Sequence, residues 1–432
     1  MKKVLIISPY FPPSNAADMQ RVRMSLPYFS TLGWKAEVVC VDPAYSDMVK
    51  DERLLLSLPD DQTVHKIRAV PLKWSRKIGF GSLGYRSLWF YLRAVNKILQ
   101  KGDVDLIYFS TTQFPVCVLG PYWLRKFGVP YVIDMQDPWY SDYYEDKPKA
   151  ARPPNYRIVY WLHRRMEAIT MKRVGGLVSV SQDYLTILQQ RYPELEPVPS
   201  EVITFGAFEK DFEIVQQNQQ LLAAARRRLD QRFLNYVYVG RGGADMAQAV
   251  SLLFEGFREG LLKNKAVFSK IRFHFLGTSY APAGTGIPSI LPIAQKMGVS
   301  EFVSEQTDRL PYYETIAMLL ASDGLILPGS DSPGYTASKL FPYIMAKKPL
   351  LAIFYKGSST LSILRQCSPC SHIFTLPGES DDGFFEVYRI LEQWATEKPT
   401  VNQYDEKSFS IFSAPAMANR QVLLFNRVLD NQ

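Results

Sequence analysis

Short apolar runs alternate with longer amphipathic stretches from the first residues of the chain. Val4 to Ile7 predicts a strand, followed by a proline-rich turn and a helix from Met19 to Leu32 that stops at Gly33. Ala36 to Val41 predicts the next strand. Leu106 to Ser110 and Tyr131 to Asp134 predict two more, separated by an apolar helix ending at Gly128. Gly176 to Val180 closes this series, and Val202-Ile203 adds a further strand. Residues 209 to 231 are polar and carry Arg226-Arg227-Arg228, which predicts linker and helix. A second series then starts at Tyr236 to Gly240 and runs through Arg272 to Gly277, Phe302 to Ser304, Gly324 to Leu327 and Leu350 to Phe354. No strand is expected after Phe354, and a helix from about Ala414 to Leu429 ends the pattern. Strands separated by helices form parallel sheets covered on both faces. Two such series predict an α/β chain of two Rossmann-like domains facing a central cleft. The expected divisions are 1–207, 208–405 and a C-terminal helix in 406–432 that crosses back to the first domain.

A length of 432 residues exceeds one ordinary core and suits two domains. A net charge of +8 favours partners that carry phosphate, whether nucleotide, nucleic acid or anionic lipid. Cys40 and Cys117 lie in apolar runs, and Cys367 and Cys370 form a single C-S-P-C with no second pair, so no metal site is expected. The run at Val4 to Ile7 is too short for a signal peptide core, and no stretch approaches the roughly 20 apolar residues of a membrane span. The expected location is cytoplasmic, either free or peripheral at the inner face of the membrane.

Four strand ends carry candidate chemistry. The first βα turn, Ser8 to Asp18, lacks a G-x-G-x-x-G fingerprint but places backbone N–H groups of Asn15, Ala16 and Asp18 at the sheet edge. Tyr131 to Trp139 delivers Asp134, Gln136 and Asp137 before Pro138 turns the chain. These are the candidate catalytic residues, with Trp139 beside them as an acceptor contact; the plainer reading is a capped turn. Gly240, Arg241 and Gly242 follow the first strand of the second series, where glycines admit a ligand to the backbone and an arginine can fork onto a phosphate. Finally, a Gly/Ser/Pro loop leads into a helix. There Gly334, Tyr335, Thr336 and Ser338 would offer N–H groups to an anion, and Lys339 a point charge.

In this last stretch the chain resembles the GT-B glycosyltransferases, specifically retaining enzymes of the GT4 type. Ser338-Lys339, Tyr343, Ala346, Lys348-Pro349 and Leu351-Ala352 match their C-terminal pattern. Tyr10 to Pro13 with Arg21, Leu32-Gly33-Trp34, Asp134 to Trp139, Ile203 to Phe208 and Val239-Gly240-Arg241 match its other landmarks in order. The resemblance implies a nucleotide-sugar donor on the second domain, a glycan or lipid-linked acceptor on the first, retention of configuration, and no metal or other cofactor. It also implies a place in bacterial surface polysaccharide or glycoconjugate synthesis. Three departures stand out: Pro342 replaces the family's ribose-binding Glu, no Lys follows Arg241 before Gln248, and Gln136 stands where relatives have Arg or His. They leave open a catalytically drifted binding or scaffold protein. An epimerase built on the same architecture is the other alternative.

Residues 62–102 contain no Asp or Glu, and 147–173 contain only Glu167 against eight Lys and Arg. Helical spacing puts Arg86, Arg93, Lys97 and Lys101 on one face with Phe90, and Trp89 at its border. Cations among aromatics suit an anionic membrane surface, through 66–101 and 147–173. No nucleic-acid module is visible, so nucleic acid is not an expected partner.

Overall fold

The computed structural model describes the chain apart from residues 47, 76–80, 141–151, 153–155, 332–338, 370, 377–382, 398–402 and 432. Contacts divide it into two units, Met1–Gly206 with Phe412–Gln432, and Ala207–Ile411.

The first unit holds seven parallel strands: β1 (Lys2–Ile7), β2 (Trp34–Val41), β3 (Thr63–Ile67), β4 (Leu106–Ser110), β5 (Tyr131–Met135), β6 (Gly176–Ser179) and β7 (Ser200–Val202). They lie in the order β3-β2-β1-β4-β5-β6-β7. The order reverses between β1 and β4, the place where open α/β sheets bind ligands beyond their carboxyl ends. Side chains alternate across the sheet because successive residues point to opposite faces. Leu5, Ile7, Phe109 and Ile133 pack in one core with Tyr91, Trp123 and Met166 of the helices Leu83–Leu99, Leu119–Phe127 and Tyr156–Met171. On the other face Phe425 of the C-terminal helix Ala414–Asp430 meets Trp34 at 5.5 Å and Tyr108 at 5.1 Å between ring centroids. Gly176 permits this docking, since a Cβ there would stand 2.6 Å from Val428. Glu201 of β7 clamps the same helix through Arg420 (3.0 Å) and Arg427 (2.9 Å).

The second unit holds six parallel strands: β8 (Leu234–Val239), β9 (Ile271–Leu276), β10 (Val303–Gln306), β11 (Gly324–Pro328), β12 (Leu350–Tyr355) and β13 (His372–Leu376). Their order is β10-β9-β8-β11-β12-β13, with the reversal between β8 and β11. The stretch expected as linker and helix is two helices, Glu209–Gln217 and Gln219–Arg228, with the Asn218 side chain capping the second at Leu221 N (3.1 Å). Asp211 is buried there and accepts hydrogen bonds from Tyr312 (2.8 Å) and Tyr313 (3.0 Å).

Two strands were not expected from the pattern. β3 falls inside the acid-free stretch and β13 follows Phe354. Both are edge strands of five residues with half-buried side chains, so neither presents the continuous apolar run that marks an interior parallel strand.

Just past the helix Leu340–Met345, Lys347 has φ 54°, a left-handed conformation that costs an L-residue about 1 kcal/mol and glycine almost nothing. Lys347→Gly should therefore raise the melting temperature of the second unit by about 2–4 °C, measured by calorimetry.

Candidate functional site

At the carboxyl edge of the first sheet the central feature is a buried ion pair. Arg21, from the helix Gln20–Phe29, places Nε 2.7 Å from Asp134 Oδ2, and both side chains are fully buried. Ser110 Oγ donates to the same oxygen at 2.9 Å and the Gln136 amide at 2.7 Å. Arg21 also donates to the carbonyls of Ile203 (2.6 Å) and Thr204 (3.3 Å), and stacks over Phe205 at 5.0 Å. Thus Arg21 joins the first helix, β5 and the segment leaving β7. Asp134, expected as a catalytic group, has no surface to offer a substrate; its negative charge holds Arg21. Gln136 is also buried, donating to Ser110 Oγ at 3.0 Å and to the Asp18 carbonyl at 3.1 Å.

The acceptor-side residues separate in the same way. Asp18 is buried and its carboxylate accepts from Thr111 Oγ1 (3.0 Å) and from Thr112 N (3.0 Å) and Oγ1 (3.3 Å), which ties the first turn to the end of β4. Burial raises its pKa above the usual carboxylate value. Ala16 is buried, and Trp139 is buried and stacked on Phe114 at 5.3 Å. A large ring next to an apolar core gains more from packing inward than from solvent, so Trp139 is packed into the wall of this edge. Asn15 is half-buried, its N–H donating to Val49 O at 2.8 Å. Asp137 is exposed, yet the surrounding protein desolvates its carboxyl enough to raise its pKa. Of the candidates at this edge, Asp137 and Asn15 retain accessible polar groups.

The second sheet brings cations together at its carboxyl edge. Arg241 follows β8 and pairs in a fork with Asp245, at 3.0 and 2.6 Å. Its hydrogen bond holds the Asp245 carboxyl below its ordinary value. Asp331, just past β11, donates its N–H to the Asp245 carbonyl at 2.9 Å, which fastens the two sides of the reversal point. Lys339 precedes the helix Leu340–Met345 and lies against Gly240, where a Cβ would stand 2.7 Å from its Nζ. Glycine at 240 is what lets the ammonium reach this edge. Burial first, then the positive charges of Arg309 and Arg241, push Lys339 down to about 7. Among the described residues no carboxylate pairs with it. Tyr343, one turn on, fixes this helix to β8 by accepting from Val239 N at 2.7 Å. Gly242 donates its N–H to Thr278 O at 2.8 Å, so it closes against the neighbouring loop. Gly334, Tyr335, Thr336 and Ser338 lie outside the described residues. Arg309, past the end of β10, escaped sequence reading because no glycine or motif marks it; its exposed guanidinium stands over Tyr280 at 5.0 Å.

No protein-family model matches the sequence, and no curated protein sequence does either. Solved structures do match. Sucrose-phosphate synthase of Thermosynechococcus elongatus superposes with a TM-score of 0.60 at 13% identity, covering 100% of both chains. HepE of Anabaena, solved in complex with UDP and glucose, gives 0.56 at 16% identity, covering 100% of this chain and 99% of its own. UDP-GlcNAc 2-epimerase of Methanocaldococcus jannaschii gives 0.52 at 11% identity over 99% of each chain. The two Rossmann-like units are those of the GT-B fold.

Proposed function

We propose that the chain is a glycosyltransferase that takes a sugar from a nucleotide-diphosphate-sugar donor to a glycan or lipid-linked acceptor hydroxyl. The observation that carries this reading is the cation set at the carboxyl edge of the second sheet. Arg241, Lys339 and Arg309 converge at or beside its reversal point, and Lys339 has no carboxylate partner among the described residues. An enclosed ammonium beside two guanidiniums is stabilised most by an anion of high charge density, and a diphosphate fits. The leaving nucleotide carries developing negative charge in the transfer step, and preorganised cations there stabilise it without a metal. The fold shared with a protein that holds UDP and glucose supports the same assignment. On the first unit, Asp137 and Asn15 are the groups we assign to the acceptor. The elevated pKa of Asp137 suits it to accept a hydroxyl proton. Retention of configuration and a role in surface polysaccharide or glycoconjugate assembly are part of this proposal and rest on the resemblance to GT4-type enzymes alone.

The drifted, non-catalytic reading is favoured by Gln136, whose amide is consumed by the Asp134 network, and by Pro342 in the donor helix. Release of nucleoside diphosphate separates the two. The chain would be incubated with UDP-, GDP-, ADP- and dTDP-sugars and a mixed lipid and oligosaccharide acceptor fraction. The transferase reading expects diphosphate release from one donor, falling by about 10²–10⁴-fold in Asp137→Asn. No release from any donor, with a folded chain, supports the scaffold reading.

A further inference from the structure

The helix Tyr156–Met171 buries Met166, Glu167, Thr170 and Met171 and turns a different chemistry outward. Ile158 is 68% exposed, Trp161 57% and Ile169 59%, an unusual amount of large apolar surface for one helix. At 3.6 residues per turn Ile158, Trp161, Arg165 and Ile169 fall within about 80° of arc. Arg157 and Arg164 lie exposed along one flank of that row, and Lys172 and Arg173 continue it past the helix end. Arg165 folds over Trp161 at 5.7 Å. The single acid of the helix, Glu167, is buried and faces Arg191 at 3.5 Å, so no carboxylate of this helix reaches its outer face.

A neighbouring helix repeats the pattern. Leu83–Leu99 meets Tyr156–Met171 through Tyr85, which donates to Met166 Sδ at 3.6 Å and lies 6.0 Å from the His163 ring. Its outer side carries Trp89, 57% exposed, with Arg93 over the ring at 4.6 Å, and Lys97 one turn on. Arg86, expected on this face, is buried and donates to the carbonyls of Val70 (2.9 Å) and Tyr45 (3.0 Å), because the first turn of the helix is covered by the loops before it. The face is therefore smaller than sequence spacing suggests, and the weight shifts to Tyr156–Met171.

We infer that the outer face of Tyr156–Met171, assisted by Trp89, Arg93 and Lys97, docks the protein on an anionic lipid bilayer. Tryptophan and isoleucine between arginines is the composition that enters the headgroup boundary, with the cations left among lipid phosphates. No helix of the described residues is long and apolar enough to cross a membrane, so the contact is superficial. A protein partner would need acidic groups on an apolar face of matching shape; a phosphatidylglycerol surface supplies the charge without a fixed shape. The inference stands apart from the transfer reaction, since it requires neither donor nor Asp137.

The test is co-sedimentation of the full chain with vesicles of phosphatidylcholine alone and of phosphatidylcholine mixed with phosphatidylglycerol. Wild type should bind the mixed vesicles and not the neutral ones. Arg164→Glu/Arg165→Glu/Lys172→Glu should weaken that binding about a hundredfold or more, and Ile158→Ser/Trp161→Ala/Ile169→Ser at least tenfold. All of these side chains are exposed, so melting temperatures should stay within a few degrees of wild type. A Lys265→Glu/Lys296→Glu variant in the other unit should bind as wild type does. Absence of binding to mixed vesicles, binding unchanged in both face variants, or self-association that the apolar variant abolishes would each overturn the inference.

Discussion

Lys339→Met should make the ligand-free protein more stable and at the same time weaken the nucleoside-diphosphate binding proposed for it. In the unfolded chain the ammonium has its ordinary pKa of 10.5; in the fold, burial and the arginines Arg309 and Arg241 bring it to about 7. Between these values the unfolded chain holds a proton that the folded one has released. Stability therefore falls as pH drops from 10.5 towards 7, and the full penalty is present below about 7. Methionine carries no proton and removes that penalty, of order 2–4 kcal/mol. The expected gain in melting temperature at pH 7 is about 5–10 °C, shrinking to nothing above pH 10.5. Binding moves the other way. A diphosphate needs the charged lysine, so wild-type affinity should fall as pH rises above about 7, by up to tenfold per unit. Lys339→Met should lose about 10–100-fold at pH 6.5, whereas Lys339→Arg should bind with a flat pH profile. Scanning calorimetry and titration calorimetry across this range read both effects. Unchanged affinity in the methionine variant would remove the lysine from the anion site.

Arg21→Met should destabilise the first unit by about 3–5 kcal/mol, a large share of an ordinary domain's stability. The cause is the charge left behind. Asp134 is fully buried, and without Arg21 its charge would be left to neutral donors such as Ser110 and the Gln136 amide. The carbonyls of Ile203 and Thr204 would also lose their donor. Replacing both charged partners, as in Arg21→Met/Asp134→Leu, should recover much of the loss, because the desolvation of two ions disappears together with their attraction. Urea unfolding followed by tryptophan fluorescence measures this. A single variant as stable as wild type would mean that the pair contributes little.

The architecture was legible because interior parallel strands are apolar on both faces. β1, β4, β5, β8, β11 and β12 all appear as short hydrophobic runs bounded by turn residues. The edges were not legible. β3 and β13 have one partner each and half-buried side chains, so their composition resembles that of loops. At the sites, sequence spacing located the right strand ends but not which side chains face solvent. Asp134 and Asp137 are three residues apart in one motif, yet the first is locked under Arg21 and the second is exposed. A motif records that a carboxylate is needed, not whether a substrate or a guanidinium needs it. Arg309 illustrates the converse. Its place beside Lys339 depends on the strand order β10-β9-β8, which is a property of topology and not of any local signature.

The proposed function requires that the carboxyl edge of the second sheet bind the diphosphate of a sugar nucleotide. Its most direct test is the melting temperature of the whole chain with UDP, GDP, ADP, dTDP and CMP, in wild type and in Arg241→Ala. One diphosphate should stabilise the wild type, by about 2.7 kcal/mol at a hundredfold excess over Kd, and this should be lost in the variant. No shift with any nucleotide at millimolar concentration, or a shift that Arg241→Ala leaves intact, would contradict it.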